Sequence, residues 1–147
     1  MSQPHRARRL ALQGLCCLDV QGQKAADLVD EFIAQAKDDA DTISAAREVL
    51  AAALAERDEC DKLLTEHASR WELHRLAMVD RNILRLGIYE LRARAAPAGV
   101  IITEAIKLAQ EFSTAESPRF INGVLDAVAK EIAGGISPRT PDSEKDS

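Results

Sequence analysis

The sequence predicts an all-α protein, and three observations support this class. Apolar residues make up 46% of the 147 residues and aromatic residues only 3%, a composition rich in alanine and leucine that favours helices over strands. Apolar residues recur at helical spacing, and no stretch sustains the period-2 alternation of a strand. The length suits one compact domain or two small subdomains that share a core. We expect three helices in each half of the chain.

The first half of the chain should hold three helices, at 5–22, about 25–38 and about 42–68. The first buries Ala11, Leu15 and Leu18. The apolar positions of the second are predicted to face inward; they are Leu28, Val29, Phe32 and Ile33. The third is long and rich in alanine, and its polar run at 56–62 is either an exposed face or a break.

The central element of the chain is a helix over Val79–Leu91. Asp80 is placed to cap it by accepting a backbone N–H of the first turn, with Val79 and Leu84 spaced as a hydrophobic staple. One wide apolar face is predicted from the helical period; it holds Ile83, Leu84, Gly87, Ile88 and Leu91. Because glycine costs about 1 kcal/mol of helix propensity, Gly87 predicts a close crossing with another helix.

Two further helices follow in the second half. Pro97 suits the first turn of the fifth helix. The apolar positions predicted for its core are Val100, Ile101, Ala105, Ile106, Leu108, Ala109 and Phe112. Ser117 is a good N-cap for the last helix, 118–133, with Pro118 at its first position.

The domain organisation that follows is one helical domain over residues 5–133, with subdomains at about 5–68 and 71–133. Residues 1–4 are predicted to be flexible. The segment 134–147 is rich in proline, serine and charge, and is predicted to be disordered.

The charge balance limits the classes of partner. A net charge of −5 argues against a general nucleic-acid coat protein, so any nucleic-acid contact must come from a local basic patch. The acidic remainder would suit a basic protein partner, or it is simply a solvated surface. No apolar run is long enough to span a bilayer and no secretory signal is visible. We expect a cytoplasmic protein with Cys16, Cys17 and Cys60 reduced.

Signatures of catalysis are missing from the sequence. It has no glycine-rich phosphate loop, no Gly-x-Ser-x-Gly and no His-Glu-x-x-His. None of its histidines has the Glu-x-x-His spacing of a di-iron bundle. Glu104, on an apolar helix, is a candidate buried acid, although a lone Glu there is more often at the rim of the core. We expect neither an enzyme nor a metal or cofactor site.

Three stretches of the chain together resemble the NusB family of transcription antitermination proteins. The first is 6–15 (RARRLALQGL) and the second is 79–91 (VDRNILRLGIYEL), followed by 103–109 (TEAIKLA). The third is 120–126 (FINGVLD). Their order and spacing fit the family, and the resemblance covers roughly residues 5–133.

The resemblance implies a fold of two packed three-helix bundles and a function in transcription. It implies binding to the single-stranded boxA element of nascent ribosomal RNA, together with NusE, a ribosomal protein of the small subunit. The complex would join the elongating RNA polymerase and suppress premature termination. The family has no catalytic residues and needs no cofactor.

The candidate RNA-binding residues lie at two helix starts. Arg6, Arg9 and Gln13 share one face of the first helix, and Arg8 projects nearer its apolar edge. Basic groups hold the backbone of single-stranded RNA, while polar and aromatic groups meet its bases. Arg119 and Phe120 begin the last helix, where backbone N–H groups also point outward. The alternatives are a solvated helix start and, for Phe120, ordinary core packing.

Arginines near a helix N-terminus oppose the macrodipole, which favours a functional reason for Arg6, Arg8 and Arg9. One departure from the family concerns Cys16, where the family usually has a tyrosine. The stacking contribution of that ring to RNA binding is therefore expected to be missing.

The resemblance assigns Asp80, Arg85 and Glu116 to the surface that faces NusE. The alternative is helix capping for Asp80 and a solvated charge for the other two. The free protein is expected to be a monomer or a homodimer. Two competing functions remain open: an RNA-binding accessory domain related to those of ribosomal RNA cytosine methyltransferases, and a homo-oligomeric helical interaction protein.

Overall fold

The computed structural model describes residues 3–68 and 76–134, and these contain seven α-helices and no strand. The helices are α1 (Gln3–Gln21), α2 (Ala26–Ala34), α3 (Ala40–Ala55), α4 (Arg57–His67), α5 (Met78–Ala93), α6 (Ala98–Phe112) and α7 (Ser117–Ala133). A short 3-10 turn, Gln23–Ala25, leads into α2. The predicted all-α class is confirmed.

The helices pack as two bundles that share α5 as a neighbour. Helices α1, α2 and α3 contact one another, and α5, α6 and α7 form the second group. The polar run at 56–62 proves to contain a break, because α3 ends at Ala55 and α4 begins at Arg57. Helix α4 packs chiefly against α5 and α7. The range 5–68 therefore holds a helix that lies on the second bundle.

Helix α5 is the core element, and its predicted apolar face is buried over its whole length. An added Cβ at Gly87 would lie 2.9 Å from Cδ1 and 3.1 Å from Cδ2 of Leu125. This distance is shorter than side-chain carbons normally approach, so any side chain at residue 87 would require Leu125 to shift where α5 and α7 cross. The predicted close crossing is confirmed.

The predicted N-caps are wrong, by three residues for α5 and by one residue for α7. Helix α5 begins at Met78 after Ala77, so Asp80 lies inside the first turn. Val79 is then also inside the helix and no longer precedes the N-cap, as a hydrophobic staple with Leu84 would require. Helix α7 begins at Ser117 itself, with Glu116 before it. The physical reason is competition for hydrogen bonds, since the Asp80 carboxylate accepts from hydroxyls of the α6–α7 loop instead of from its own backbone.

Helix α2 buries a narrower face than the sequence predicts. Val29 and Ile33 are buried, but Leu28 is 70% exposed and Phe32 56% exposed, so the inward prediction is wrong for these two. Helix α2 is nine residues long and packs chiefly on α1 and α3. Two helices in contact with one short helix cover one stripe of it, and positions 28 and 32 fall outside that stripe.

The core of α6 agrees with the prediction except at Val100 and at Ile106, which is only half-buried and does not belong to the core cluster. Ile101, Ala105, Leu108 and Ala109 are buried, whereas Val100 in the first turn is 47% exposed. The expectations for residues 1–2 and for the tail beyond 134 lie outside the described residues. No described helix is both long and apolar enough to cross a membrane.

Candidate functional site

Arg6 on α1 faces the loop between α2 and α3. Its Nε donates to Asp38 at 3.0 Å and its Nη2 donates to Asp39 at 2.8 Å. The hydrogen bond to Asp38 and the two negative charges raise the pKa of Arg6 above its ordinary value. Asp39 also caps α3, because its Oδ1 accepts the backbone N–H of Thr42 at 2.7 Å. The Arg6 side chain is about one-third exposed and remains at the surface.

Arg9 and His5 face the last turns of α6. The Nε of Arg9 lies 3.3 Å from Oε2 of Glu111, and its guanidinium carbon lies 5.5 Å from the centre of the Phe112 ring, within cation–π range. His5 places Nδ1 2.6 Å from Oε1 of Glu104 and Nε2 2.7 Å from Oε1 of Glu111. One carboxylate, Glu111, therefore contacts two basic side chains of α1.

Arg8 is held more deeply than the other two arginines. Its side chain is 12% exposed, and its Nε lies 2.8 and 2.7 Å from the two oxygens of Glu90 on α5. Glu104 lies 3.8 Å from its Nη1. Burial of Glu104 acts to raise its pKa, but hydrogen bonds from His5 and Lys107 outweigh this and lower the pKa below its ordinary value. These groups form an ionic link between α1 and the second bundle.

The remaining RNA candidates are Gln13 on α1 and Arg119 and Phe120 on α7. Gln13 and Arg119 are exposed, and Phe120 is half-buried against the core. Phe112, beneath Arg9, ends α6, and only the residues 113–116 separate it from α7, which carries Arg119 and Phe120 in its first turn. The structure thus brings Arg9 to the segment that leads into the second candidate helix start.

Asp80 and the α6–α7 loop form one polar cluster. Ser113 and Ser117 donate their hydroxyls to the two oxygens of Asp80, at 2.6 and 2.9 Å. The Ser113 and Ser117 hydroxyls also lie 2.8 Å apart, and Thr114 Oγ1 is 3.1 Å from Ser117. Asp80 is 8% exposed, whereas Glu116, next to Ser117, is exposed. Of the three candidate partner-binding residues, Asp80 therefore contacts the residue that follows Glu116, at the start of α5.

Arg85 lies elsewhere, in a joint between α1, α4 and α5. Its Nε and Nη2 donate to the carboxylate of Asp61 at 2.7 and 3.0 Å, and its Nη1 lies 3.4 Å from Asp19. Burial of Asp19 opposes its charge, but hydrogen bonds from Asn82 and Arg81 and the charge of Arg85 lower its pKa overall. The Arg85 side chain is only 14% exposed. The structure does not bring it to Asp80 and Glu116.

Sequence reasoning missed the acidic partners of these arginines. Glu104 and Glu111 are seven residues apart, a spacing that places both on one face of a helix, and this was the available signal. The other partners come from a loop and from α5, and no local pattern in the sequence connects Arg6 to Asp38 or Arg8 to Glu90.

Two cysteine thiols and one group of possible metal ligands were candidates for reactive or metal-binding sites. Burial, together with the charge of Asp19, raises the pKa of Cys16 to about 11, and burial raises that of Cys60 to about 12. Thiols of this kind are poor nucleophiles. Within residues 3–68 and 76–134, Glu66, His67 and Glu131 lie close enough to suggest a metal site. A 2.6 Å hydrogen bond joins His67 to Glu131, and Glu66, the third residue, is exposed.

The bundle of helices, with basic side chains along α1, defines the class as a small α-helical protein. Comparison with known proteins makes this specific, because the NusB family model matches residues 5–130. A transcription antitermination protein NusB from Solibacter usitatus is 38% identical over 136 residues, which cover 90% of this chain and 92% of the relative. The chain belongs to the NusB family. The predicted resemblance and the prediction of a non-enzymatic protein are confirmed.

Solved structures agree with this assignment. A NusB structure from T. maritima has a TM-score of 0.80 and 31% identity, and the match covers 89% of this chain and 92% of that one. A crystal structure of antitermination factors NusB and NusE in complex with dsRNA has a TM-score of 0.76 and 28% identity. That match covers 88% of this chain and 98% of that one.

Proposed function

We propose that this chain is a transcription antitermination factor that binds RNA together with NusE. The observation that carries the proposal is the match of this fold, over 88% of the chain, to a NusB protein solved with NusE and RNA. The curated relatives are named transcription antitermination proteins. The geometry of α1 and of the start of α7 supports the RNA-binding part.

The proposed RNA surface consists of Arg6, Arg9, Gln13, Arg119 and Phe120. Arg6 and Arg9 are each about one-third exposed, so their guanidinium groups can reach phosphate oxygens without unpacking the core. Gln13 and Arg119 are exposed and can meet a base edge and a phosphate. Phe120 has a half-buried ring that can offer an edge to a splayed base.

Arg8, the sixth RNA candidate, acts indirectly in this proposal. Its guanidinium is committed to the Glu90 carboxylate and nearly buried. We expect it to fix α1 against α5, and so to hold Arg6 and Arg9 at the surface. A buried pair that loses one member leaves an uncompensated charge, so its loss should lower stability as well as RNA affinity.

The proposed NusE surface is centred on Glu116 and the α6–α7 loop. Glu116 is the exposed acid of that loop, and it suits a basic ribosomal protein. Asp80 is buried beneath the loop and shapes it through Ser113 and Ser117. Arg85 would contribute through the position of α4 and α5, since its charge is already paired with Asp61 and Asp19.

We propose further that the RNA is the boxA element of nascent ribosomal RNA and that the complex acts on the elongating RNA polymerase. A bacterial factor of this kind would act in the cytoplasm, where transcription takes place. We expect the free chain to bind NusE one to one, whether it begins as a monomer or as a homodimer.

A pull-down with purified NusE tests this function. NusE should retain the wild-type chain, and boxA RNA should increase the amount retained, whereas a scrambled RNA of equal length should not. Glu116→Lys should weaken retention, and Glu59→Lys, which changes an exposed acid on α4, is the matched control. Loss of retention in both variants, or none in either, would place the interface on another surface. If the wild-type chain is not retained, the proposed partner is wrong.

A further inference from the structure

Glu111 on α6 lies beside Arg9, one of the proposed phosphate-binding residues. Its Oε2 lies 3.3 Å from Arg9 Nε, while its Oε1 lies 2.7 Å from Nε2 of His5. The carboxylate is 29% exposed, so it lies at the surface and can separate from Arg9. No catalytic or capping role explains it, because it lies in the last turn of α6, where an acid is opposed to the macrodipole.

We propose that Glu111 competes with the RNA backbone for Arg9 and thereby sets the RNA affinity of this protein. The inference rests on the proposed RNA-binding function. In the free protein, Glu111 neutralises Arg9 and His5. When a phosphate approaches, the Arg9 guanidinium exchanges one anionic partner for another, and the freed carboxylate takes up a solution cation.

Contact with Phe112 keeps the Arg9 side chain in place during this exchange of partners. The Arg9 guanidinium lies over the Phe112 ring, and this contact does not involve Glu111. Arg9 therefore keeps a stacking partner when the carboxylate is lost or displaced. The equivalent acids at Arg6 are less suitable for a test, since Asp39 also caps α3 and its replacement would disturb that helix.

The test replaces Glu111 with glutamine, which removes the charge and keeps an Oε1 acceptor for the His5 ring. Glu131→Gln is the matched control, because Glu131 pairs with His67 at 2.6 Å and is 30% exposed. Glu131 lies twelve residues after Arg119 in α7, about 18 Å along the helix at 1.5 Å per residue. Both variants raise the net charge by one, so only a local effect distinguishes them.

RNA affinity is measured by fluorescence anisotropy with a labelled boxA oligonucleotide at several salt concentrations. Glu111→Gln should bind about threefold to tenfold more tightly than Glu131→Gln, the range expected for freeing a charge from a surface ion pair. Its plot of log K against log salt should be steeper by up to about 0.7, because no freed carboxylate recaptures a cation. In an Arg9→Ala background the gain should largely disappear.

Equal affinity for the two glutamine variants, or weaker binding by a Glu111→Gln protein that melts normally, would overturn the inference. If Glu111→Gln fails to fold, Glu111→Asp replaces it: the charge remains but its reach is shorter, and a smaller gain is expected. A wild-type chain that binds no RNA, with or without NusE, would instead refute the proposed function.

Discussion

Replacement of Asp80 by alanine tests whether this residue is a buried anchor or a helix cap. Asp80 is 8% exposed and accepts two hydroxyl hydrogen bonds, at 2.6 and 2.9 Å. A hydrogen bond to a charged group contributes about 1.5–3 kcal/mol. Because Ser113 and Ser117 would still contact each other, the expected loss is about 2–4 kcal/mol. A lost cap would cost about 1 kcal/mol.

The assay is urea unfolding together with calorimetry. At about 2–4 °C per kcal/mol for a chain of this size, the melting temperature should fall by about 5–15 °C. Asp126→Ala removes an acid from an exposed ion pair with Lys130 and should cost well under 1 kcal/mol. Asp80→Asn, which keeps one acceptor, should lie between alanine and the wild type. A loss of 1 kcal/mol or less for Asp80→Ala, with no energetic coupling to Ser117→Ala, would refute the anchor.

Three other predictions concern the core, the pH dependence and the basic face. Gly87→Leu should lower the free energy of unfolding by about 1–3 kcal/mol or more, because Leu125 already fills the space; a parent-like melt by calorimetry would contradict the crossing. The folded-state pKa of Glu104 is lowered from 4.5, so its stabilising contribution is present above that value and is lost as the pH falls through the lower folded-state value; urea unfolding from pH 6 to 3 should show a shallower decline for Glu104→Gln than for the wild type. If about three to five phosphates are contacted, log K for RNA should fall by roughly 2–3.5 units per tenfold rise in salt. Arg6→Ala and Arg9→Ala should each weaken RNA binding while the melting temperature changes little, and an unchanged RNA affinity would contradict the assigned face.

The sequence predicted the core of the second half well because helical period alone determines it. The apolar face of α5, and the glycine in its middle, required only the spacing of apolar residues and the known cost of glycine in a helix. The same reasoning failed at α2, since Leu28 and Phe32 continue the apolar stripe but no described helix covers them. The number of neighbours of a short helix is a tertiary property that its own sequence does not contain.

The candidate site was only partly predictable for a similar reason. The spacing placed Arg6 and Arg9 on one face, and the spacing of Glu104 and Glu111 would have placed two acids on another. How helices dock determines whether such faces meet. In the structure Arg9 lies against Glu111, whereas Arg6 pairs with Asp38 and Asp39 of the α2–α3 loop. Asp80 failed as a cap because two serines of a distant loop compete for its oxygens, and their proximity depends on the folded chain.

The most direct test of the account is a titration of labelled boxA RNA with this chain, with NusE, and with an equimolar mixture of the two. We predict weak, salt-sensitive binding by the chain alone, and tighter binding by the mixture than by either protein. A scrambled RNA should bind the mixture less well, and Arg9→Ala should weaken binding in every arm. Equal affinity for boxA and scrambled RNA, or no gain from NusE, would contradict the account.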